Sequence, residues 1–155
     1  MEHACFFIGQ RTAGEEIYPA LAEAVERHIT GYGVRRFYVG RYGNFDRMAA
    51  RAVGEAKARH SGVDLVLVLV LPYHPAQHPV PVPPGFDRSL YPWEGERVPP
   101  RLAILRTDQR MVERCAFLIA CARPHLGGSG QVLDFAQRRA ARGLLRVEEL
   151  DPAGI

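Results

Sequence analysis

Short apolar runs alternate with amphipathic segments along most of the chain. The first run, residues 4–8, ends at Gly9, and its uninterrupted apolar character is typical of a strand that is buried on both faces. In residues 15–30, which follow, large apolar side chains recur every four positions, and this spacing predicts a helix with one buried face. A strand followed directly by a helix is the beginning of a βαβ unit, so the opening of the chain indicates a parallel sheet.

The alternation continues to residue 150. Strands are predicted at residues 35–40, 63–72, 101–105, 115–122 and 144–150, and helices over residues 41–60, 107–115 and 130–142. Thr107 or Asp108 is the predicted N-cap of its helix, and residues 151–155 are predicted to form a frayed tail. Because parallel strands are joined by right-handed crossovers, this order predicts an α/β fold. Its sheet is doubly wound and mainly parallel, with about five or six strands and flanking helices.

Residues 72–101 depart from this pattern. They contain nine of the 12 prolines, and no regular helix forms at that density of proline. We therefore predict a long proline-rich loop at 72–101 within one domain that spans residues 1–155. Four aromatic side chains favour packing of part of this loop against the domain: Tyr73, Phe86, Tyr91 and Trp93.

The cysteines and the apolar runs bear on where the protein works. Cys5, Cys115 and Cys121 are scattered within or beside apolar runs, which is typical of reduced, buried thiols. The N-terminal residues lack the basic start and long apolar stretch of a signal peptide. The longest apolar run, at residues 63–72, is too short to cross a bilayer as a helix. These features predict a cytoplasmic protein that has no membrane partner.

The charge of the chain gives a weaker indication of its partners. The formal net charge is +3, and nearly all basic residues are arginines, with Lys57 as the sole lysine. The planar arginine fork suits phosphate and carboxylate groups, although a codon bias toward arginine would give the same composition. Because no long block of basic residues is present, we expect no nucleic-acid partner.

Metal-binding and catalytic candidates are few. His74 and His78 have helical spacing, but the intervening prolines prevent a helix that would present both, and no third ligand is evident. We therefore predict no metal site. His125 adjoins a glycine-rich turn, where it is either an exposed loop residue or an acid or base near neutrality. Asp134 is expected in about the first turn of the last helix, as a candidate acid for a glycosidic bond.

Three strand-to-helix turns combine glycine with the start of a helix. They are residues 8–12, 39–46 and 126–130. Glycine lets the backbone approach a ligand closely, and the free N–H groups of a helix N-terminus favour an anion. Because the carboxyl ends of parallel strands share one edge of a sheet, we expect these turns to form a phosphate or nucleotide site there. The alternative is that they are ordinary tight turns.

The polar residues of these turns leave the chemistry open. Arg11 and Arg41 lie in neighbouring turns from which a guanidinium could reach a phosphate, and Ser129 could add a hydroxyl group. Asp46 is either a helix N-cap or a hydrogen-bond partner of a ribose hydroxyl or a base. None of the turns matches the glycine motif of dinucleotide dehydrogenases or the phosphate loop of NTPases, so both classes are disfavoured.

A family resemblance is carried by three segments. "CFFIGQR" is similar to the motif F-x-G-H-R, and "VGRYGNFDRMAARAV" is similar to G-G-x-x-G-x-D-x-x-A-A. "TDQRMVERCAFLIACARPHLGGSGQVLDFAQRR" is similar to R-N-x-x-M-V-D-x-S-D-x-L-I-A-Y followed by G-G-(T/A/S) and a helix. These motifs resemble those of the SLOG superfamily, which contains the DNA-processing protein A and the LONELY GUY phosphoribohydrolases. The nearest branch is that of the uncharacterised bacterial YpsA-like proteins, and the resemblance covers roughly residues 4–147.

The resemblance implies a Rossmann-like fold that binds a nucleotide or a nucleotide-derived ligand, such as one resembling ADP-ribose, as a sensor. It also implies a homodimer. It does not identify a cofactor. Arg110 is a further candidate because it could face the same crevice, although the motif does not require it. Carried over by position, the ligand-contacting residues are Gly9, Arg11, Gly40, Gly43, Asp46, Gly127, Gly128 and Ser129.

Several residues depart from the family motifs. Gln10 replaces a histidine and Arg41 replaces a glycine. Thr107 and Asp108 stand where an Arg-Asn pair is usual. In the third segment, Leu126, Gln131 and Asp134 stand where the phosphoribohydrolases have Pro, Thr and Glu, so an acid is retained but is one methylene shorter.

Two alternatives to simple ligand binding stay open. The first is a phosphoribohydrolase of nucleoside 5′-monophosphates, in which Asp134 or His125 assists departure of the base and Arg11 or Arg110 holds the phosphate. The second is single-stranded DNA binding, which needs basic side chains beside stacking aromatics. The only such grouping is Arg35, Arg36 and Arg41 near Tyr38 and Tyr42.

Overall fold

A six-stranded sheet and four helices organise residues 1–151, the part of the chain that this computed structural model describes. Beyond Asp151, the predicted tail lies outside the described residues. The strands are β1 (Glu2–Gly9), β2 (Arg36–Val39), β3 (Val66–Val70), β4 (Arg88–Leu90), β5 (Cys115–Cys121) and β6 (Arg146–Glu149). The helices are α1 (Tyr18–Thr30), α2 (Asn44–Arg59), α3 (Ala103–Arg114) and α4 (Gly127–Ala141).

Each pair of neighbouring strands is parallel, and the strand order is β4-β3-β2-β1-β5-β6. This confirms the predicted doubly wound α/β fold. The chain proceeds outward from β1 to β4 and then returns to the other side of β1 to form β5, which pairs Cys5 with Phe117. Such a reversal of strand order leaves a crevice at the carboxyl ends of β1 and β5, the two strands between which the order reverses.

Two apolar layers cover the faces of the sheet. On one face, Leu21 of α1 pairs with the α2 residues Phe45 and Val53 against the strands, and all three are fully buried. On the other face, Met111 of α3 and Leu133 of α4 are equally buried. Burial of side chains of this size stabilises the fold by about 1.5–3 kcal/mol each. The two layers therefore hold the sheet in place from both of its faces.

Helix α3 begins four residues earlier than the sequence pattern predicts. Ala103, Thr107 and Met111 recur every four residues and are buried, so they form the inner face of one helix. The strand predicted at 101–105 is therefore wrong, and so is the N-cap predicted at Thr107 or Asp108. A 3₁₀ turn at Pro100–Leu102 precedes the helix, because proline is compatible with a first turn that needs no N–H donor.

Helix α4 begins three residues earlier than predicted, at Gly127. The N–H group of Gly130 donates to the carbonyl oxygen of Leu126 at 3.1 Å and closes the first turn. Gly127 has a φ of +67°, a left-handed conformation that favours glycine. The glycine-rich stretch is thus the first turn of the helix rather than a loop before it, and Asp134 lies two turns inside.

The proline-rich segment is packed against the sheet. It contains β4, which the sequence pattern did not predict, as the edge strand beside β3. The Asp87 carboxylate accepts hydrogen bonds from the Leu67 N–H group at 2.8 Å and from Lys57 at 2.7 Å. The Trp93 indole N–H group donates to the Thr107 hydroxyl at 2.9 Å. The segment is therefore tied to β3 at one point and to α3 at another.

The three cysteines are buried and unpaired. Burial raises the pKa of Cys115 to about 12 and that of Cys121 to about 11, so both thiols are neutral and act as small apolar groups. Within residues 1–151, no helix is long and apolar enough to cross a membrane.

Candidate functional site

A cavity of about 410 Å³ opens at the carboxyl edge of the sheet, next to the reversal of strand order. This volume is within the range of small-molecule sites. Its walls come from the ends of β1, β2 and β3, from α3 and from the first turn of α4. The lining residues are Phe6, Phe7, Ile8, Gly9, Arg11, Gly40, Tyr42, Asp46, Val70, Pro72, Arg101, Ile104, Leu105, Thr107, Asp108, Gly128 and Ser129.

The turns after β1 and β2 pack directly on each other. The N–H group of Asn44 donates to the carbonyl oxygen of Arg11 at 2.9 Å. A side chain on Gly43 would overlap the backbone of Arg11, and one on Gly9 would overlap the ring of Phe45. These two glycines therefore permit the close approach of β1 and α2, which brings the two turns to one side of the cavity.

The N-terminus of α4 provides another wall. Gly128 and Ser129 line the cavity, and no side chain caps the helix at Leu126. The first N–H groups of a helix have no partner within it, and together with the helix dipole they favour an anion. A side chain on Gly130 would overlap the carbonyl oxygen of Arg123, so glycine there lets the helix start close to the end of β5.

Two arginines reach the same cavity. Arg11 comes from the turn after β1, and Arg101 comes from the 3₁₀ turn before α3. Neither guanidinium has a salt-bridge or hydrogen-bond partner among residues 1–151, whereas Arg27, Arg51 and Arg59 on the outer helices are all paired with glutamates. Both guanidinium groups can therefore donate hydrogen bonds to a ligand, while Arg11 also interacts electrostatically with Asp46 and Asp108.

Asp46 and Asp108 bring two carboxyl groups into the cavity. Asp46 accepts a hydrogen bond from the Tyr42 N–H group at 3.0 Å. It is not the N-cap of α2, which is Gly43, but it lies in the first turn of that helix. Burial raises the pKa of Asp46 above its ordinary value of 3.8, while the Tyr42 N–H group and Arg11 act in the opposite direction. Asp46 is therefore the better stabilised anion of the two.

Asp108 has no hydrogen bond or salt bridge to its carboxyl group within the described residues. Burial raises its pKa to about 8, and the negative charge of Asp46 contributes in the same direction, while Arg11 opposes both. Two nearby carboxyl groups cannot both ionise readily, so at neutral pH the pair holds one proton, on Asp108. The cavity therefore contains a hydrogen-bond donor beside a carboxylate.

The structure does not place Arg110 in this cavity. Its guanidinium lies 5.2 Å from the centre of the Trp93 ring and 3.7 Å from Glu96, where it borders a second, more open depression with Tyr91. The adjacent position Met111 faces the core, and a helix turns by about 100° per residue, so Arg110 is directed away from the site.

His125 and Asp134 also lie outside the cavity, paired with each other. His125 Nδ1 is 2.7 Å from Asp134 Oδ2, and the His125 side chain is 85% exposed. His125 has a φ of +65°, which is uncommon for a residue other than glycine. Gly127 borders a shallow depression next to the main cavity, which shares Arg11 and Ser129 with it.

Four polar or aromatic lining residues were not predicted from the sequence: Tyr42, Arg101, Thr107 and Asp108 as a ligand contact. The last three depend on the start of α3, which the sequence pattern places too late. The spacing of Ala103, Thr107 and Met111 was the available signal, since it puts Asp108 one position from a buried helix face. His74 and His78 do not take part, and no group of three or more metal-ligating side chains occurs in residues 1–151.

The basic and aromatic residues considered for DNA binding do not form one surface. Tyr38 is buried, and its hydroxyl donates to Glu2 at 2.6 Å. Arg36 pairs with the same glutamate at 3.5 Å, at the amino edge of the sheet. Tyr42 lines the cavity at the carboxyl edge. These positions offer no shared stacking platform.

The fold of the chain is similar to that of a protein of solved structure. The chain is similar to the DNA processing protein A (DprA) from Streptococcus pneumoniae, with a TM-score of 0.53 and 11% sequence identity over 96% of this chain. It spans 59% of the length of that protein. No family model and no curated protein matches the sequence. At this identity the likeness shows a shared Rossmann-like fold of the type that the SLOG resemblance implies, and nothing about ligands.

Proposed function

We propose that the chain binds a nucleotide or nucleotide-derived ligand in the cavity, with a phosphate at the N-terminus of α4. The observation that carries this proposal is the convergence of Gly9, Gly40 and Gly128 around one cavity that also contains Arg11, whose guanidinium has no hydrogen bond or salt bridge within residues 1–151. Close backbone approach, free helix N–H groups and a guanidinium that can still donate hydrogen bonds together favour an anionic ligand.

The apolar part of the lining supports a ligand with a base or another flat ring. Ile104 and Leu105 of α3 face the cavity together with Val70 and Pro72 at the end of β3. Sites for small molecules are mostly apolar, with a few polar groups that set the orientation of the ligand. A nucleotide has both parts, and the SLOG resemblance, including its YpsA-like branch, agrees with this class of ligand.

The two alternative functions receive less support. A hydrolase that uses Asp134 or His125 would require these residues beside the bound sugar, and they lie outside the cavity. DNA binding lacks a stacking surface near Tyr38. A role as a sensor, a homodimeric state and a cytoplasmic location are parts of the same proposal that rest on the sequence.

A thermal-shift screen of AMP, ADP-ribose, NAD and cyclic nucleotides tests the proposed function. A ligand at 100 times its Kd adds about 2.7 kcal/mol to the free energy of unfolding, which raises Tm by roughly 5–10 °C for a chain of this size. Adenosine, which lacks the phosphate, should stabilise the protein much less. If none of these nucleotides raises Tm in a folded sample, the proposal is wrong.

Arg11→Gln identifies the site. The loss of a charged hydrogen-bond donor should weaken nucleotide binding roughly 10- to 100-fold. Arg106→Gln is the matched control, because Arg106 is an exposed arginine of α3 that does not line the cavity. Equal affinity of the two variants, measured by isothermal titration calorimetry, would contradict the placement of the phosphate.

A further inference from the structure

The cavity has two chemically different polar surfaces. The first is positive and consists of the N-terminus of α4 and Arg11, which borders Ser129 and is also close enough to Asp46 and Asp108 to lower the pKa of each. The second consists of Asp46 on α2 and Asp108 on α3, and it carries one negative charge and one proton. A ligand that fits both surfaces has an anionic group for the first and an uncharged group with hydroxyls for the second.

The carboxyl pair has unused hydrogen-bonding capacity. One oxygen of Asp46 accepts the Tyr42 N–H group, which fixes the orientation of that carboxylate. The carboxyl group of Asp108 has no such bond within residues 1–151. Asp108 is half-buried and lines the cavity, so its carboxyl group is available to form a hydrogen bond with a ligand there.

We propose that Asp108 is a specificity-determining residue that, with Asp46, binds the ribose hydroxyls of a nucleotide whose phosphate lies at the N-terminus of α4. The Asp108 carboxyl donates one hydrogen bond, and the Asp46 carboxylate accepts from a hydroxyl group, as acidic residues do for ribose in other α/β folds. This inference rests on the proposed function and adds the orientation of the ligand and the protonation state that it requires.

The geometry makes binding depend on pH. Ionisation of Asp108 removes the donor and places a second negative charge beside Asp46, in the same cavity as the phosphate. The charged or titratable groups that face it are Asp46, Arg11, Arg101 and Tyr42. The arginines stay positive, and burial raises the pKa of Tyr42 above its ordinary value of 10. A phosphate monoester is already almost fully ionised at pH 7, since its second pKa is about 6. Asp108 is thus the group that changes charge between pH 7 and 9.5.

The first test measures AMP affinity of the full chain by calorimetry at pH 7, 8 and 9.5. For the wild-type protein we expect the affinity to fall about tenfold or more over this range, because only the protonated form binds well. Asp108→Asn keeps a donor without a titratable proton, so its affinity at pH 7 should lie within about threefold of wild type and stay constant to pH 9.5. Asp134→Asn, outside the cavity, should retain the wild-type pH dependence.

The second test compares AMP with its 2′,3′-dideoxy analogue at pH 7. Wild type should bind the analogue roughly 10-fold more weakly, because two hydrogen bonds to the carboxyl pair are lost. Asp108→Ala should bind both ligands weakly and discriminate much less between them. Circular dichroism and thermal melting establish that each variant is folded.

The possible failures are distinguishable. Tight AMP binding that is independent of pH, or an Asp108→Asn variant that keeps the wild-type pH dependence, would overturn this inference and leave the proposed function intact. Equal affinity of wild type for AMP and its dideoxy analogue would do the same. Absence of AMP binding at pH 7 in a folded protein that also fails the nucleotide screen would remove both.

Discussion

At the scale of single residues, the missing side chain of Gly9 determines how closely β1 and α2 approach. The ring of Phe45, which is fully buried, occupies the place where a Cβ atom on Gly9 would stand. A Cβ atom added to Gly54, within α2, would have no neighbouring atom within 4 Å. A methyl group is therefore excluded at Gly9, which packs against α2, and is tolerated at Gly54, which belongs to α2.

We predict that Gly9→Ala lowers the free energy of unfolding by about 2–4 kcal/mol, because the overlap with Phe45 forces a shift in a close-packed core. The matched substitution Gly54→Ala should raise it by about 0.5–1 kcal/mol, since alanine favours an exposed helix interior. Urea unfolding of both variants is the measurement. A Gly9→Ala variant as stable as wild type would show that β1 and α2 are not packed as described.

At the scale of elements, Asp87 ties the proline-rich segment to β3. Its carboxylate bonds both the Leu67 N–H group and Lys57, and these bonds hold the pKa of Asp87 below its ordinary value of 3.8. Strand β4 follows immediately and has only three residues. A strand this short at the edge of a sheet depends on side-chain anchors for its place.

Asp87→Ala should therefore loosen β4, with a local loss of about 1–3 kcal/mol. We expect faster hydrogen exchange in residues 72–101 and at the Leu67 amide, and little change in β1 and β5. Asp64→Ala is the control, because Asp64 is exposed and its side chain forms no hydrogen bond within residues 1–151. Unchanged exchange in the Asp87→Ala variant would mean that the segment is held in place elsewhere.

The sequence predicts those elements that have a strong apolar period and misses those without one. Strands β1 and β5 and helix α1 follow long apolar patterns and are confirmed. Strand β4, with the sequence Arg-Ser-Leu, has no such pattern and forms only because β3 offers a free edge. Helix α3 starts amid prolines, and its inner face contains the polar Thr107, so the pattern alone does not locate its first turn.

The residues of the candidate site likewise fall into those that the sequence predicts and those that it misses. The glycines of the three turns were predicted to meet, and Gly9, Gly40 and Gly128 do line one cavity, because parallel strands end at a common edge. Arg101 and Asp108 reach the cavity only through the position of α3. Their contribution therefore depends on tertiary packing, which no local pattern in the sequence contains.

At the scale of the whole molecule, the cavity reduces stability. An acid whose pKa is about 8 in the folded state and 3.8 when unfolded gives up a proton on unfolding at intermediate pH. Asp108 therefore leaves the free energy of unfolding unchanged below pH 3.8 and lowers it progressively as the pH rises toward 8. A destabilising group that is retained inside a cavity is typical of binding sites, where stability and function compete.

Asp108→Asn should accordingly raise the free energy of unfolding at pH 8 by roughly 2–5 kcal/mol. The difference from wild type should be small at pH 4, grow up to pH 8 and then level off. Chemical denaturation at four pH values measures this curve, with Asp64→Asn as an exposed control that should follow wild type. Equal stability of the Asp108→Asn variant and wild type at pH 8 would indicate that folding does not raise the pKa of Asp108.

The pairing of β1 with β5 joins residues that are more than a hundred positions apart, such as Cys5 and Phe117. Because translation adds roughly 5–20 residues per second, β1 leaves the ribosome many seconds before its central partner exists. During that interval β1 can pair with β2 alone, and one side of a strongly apolar strand is open. Contacts this distant in the chain also make folding slow. The strand arrangement that creates the crevice therefore also creates a period during synthesis in which the chain is vulnerable to aggregation.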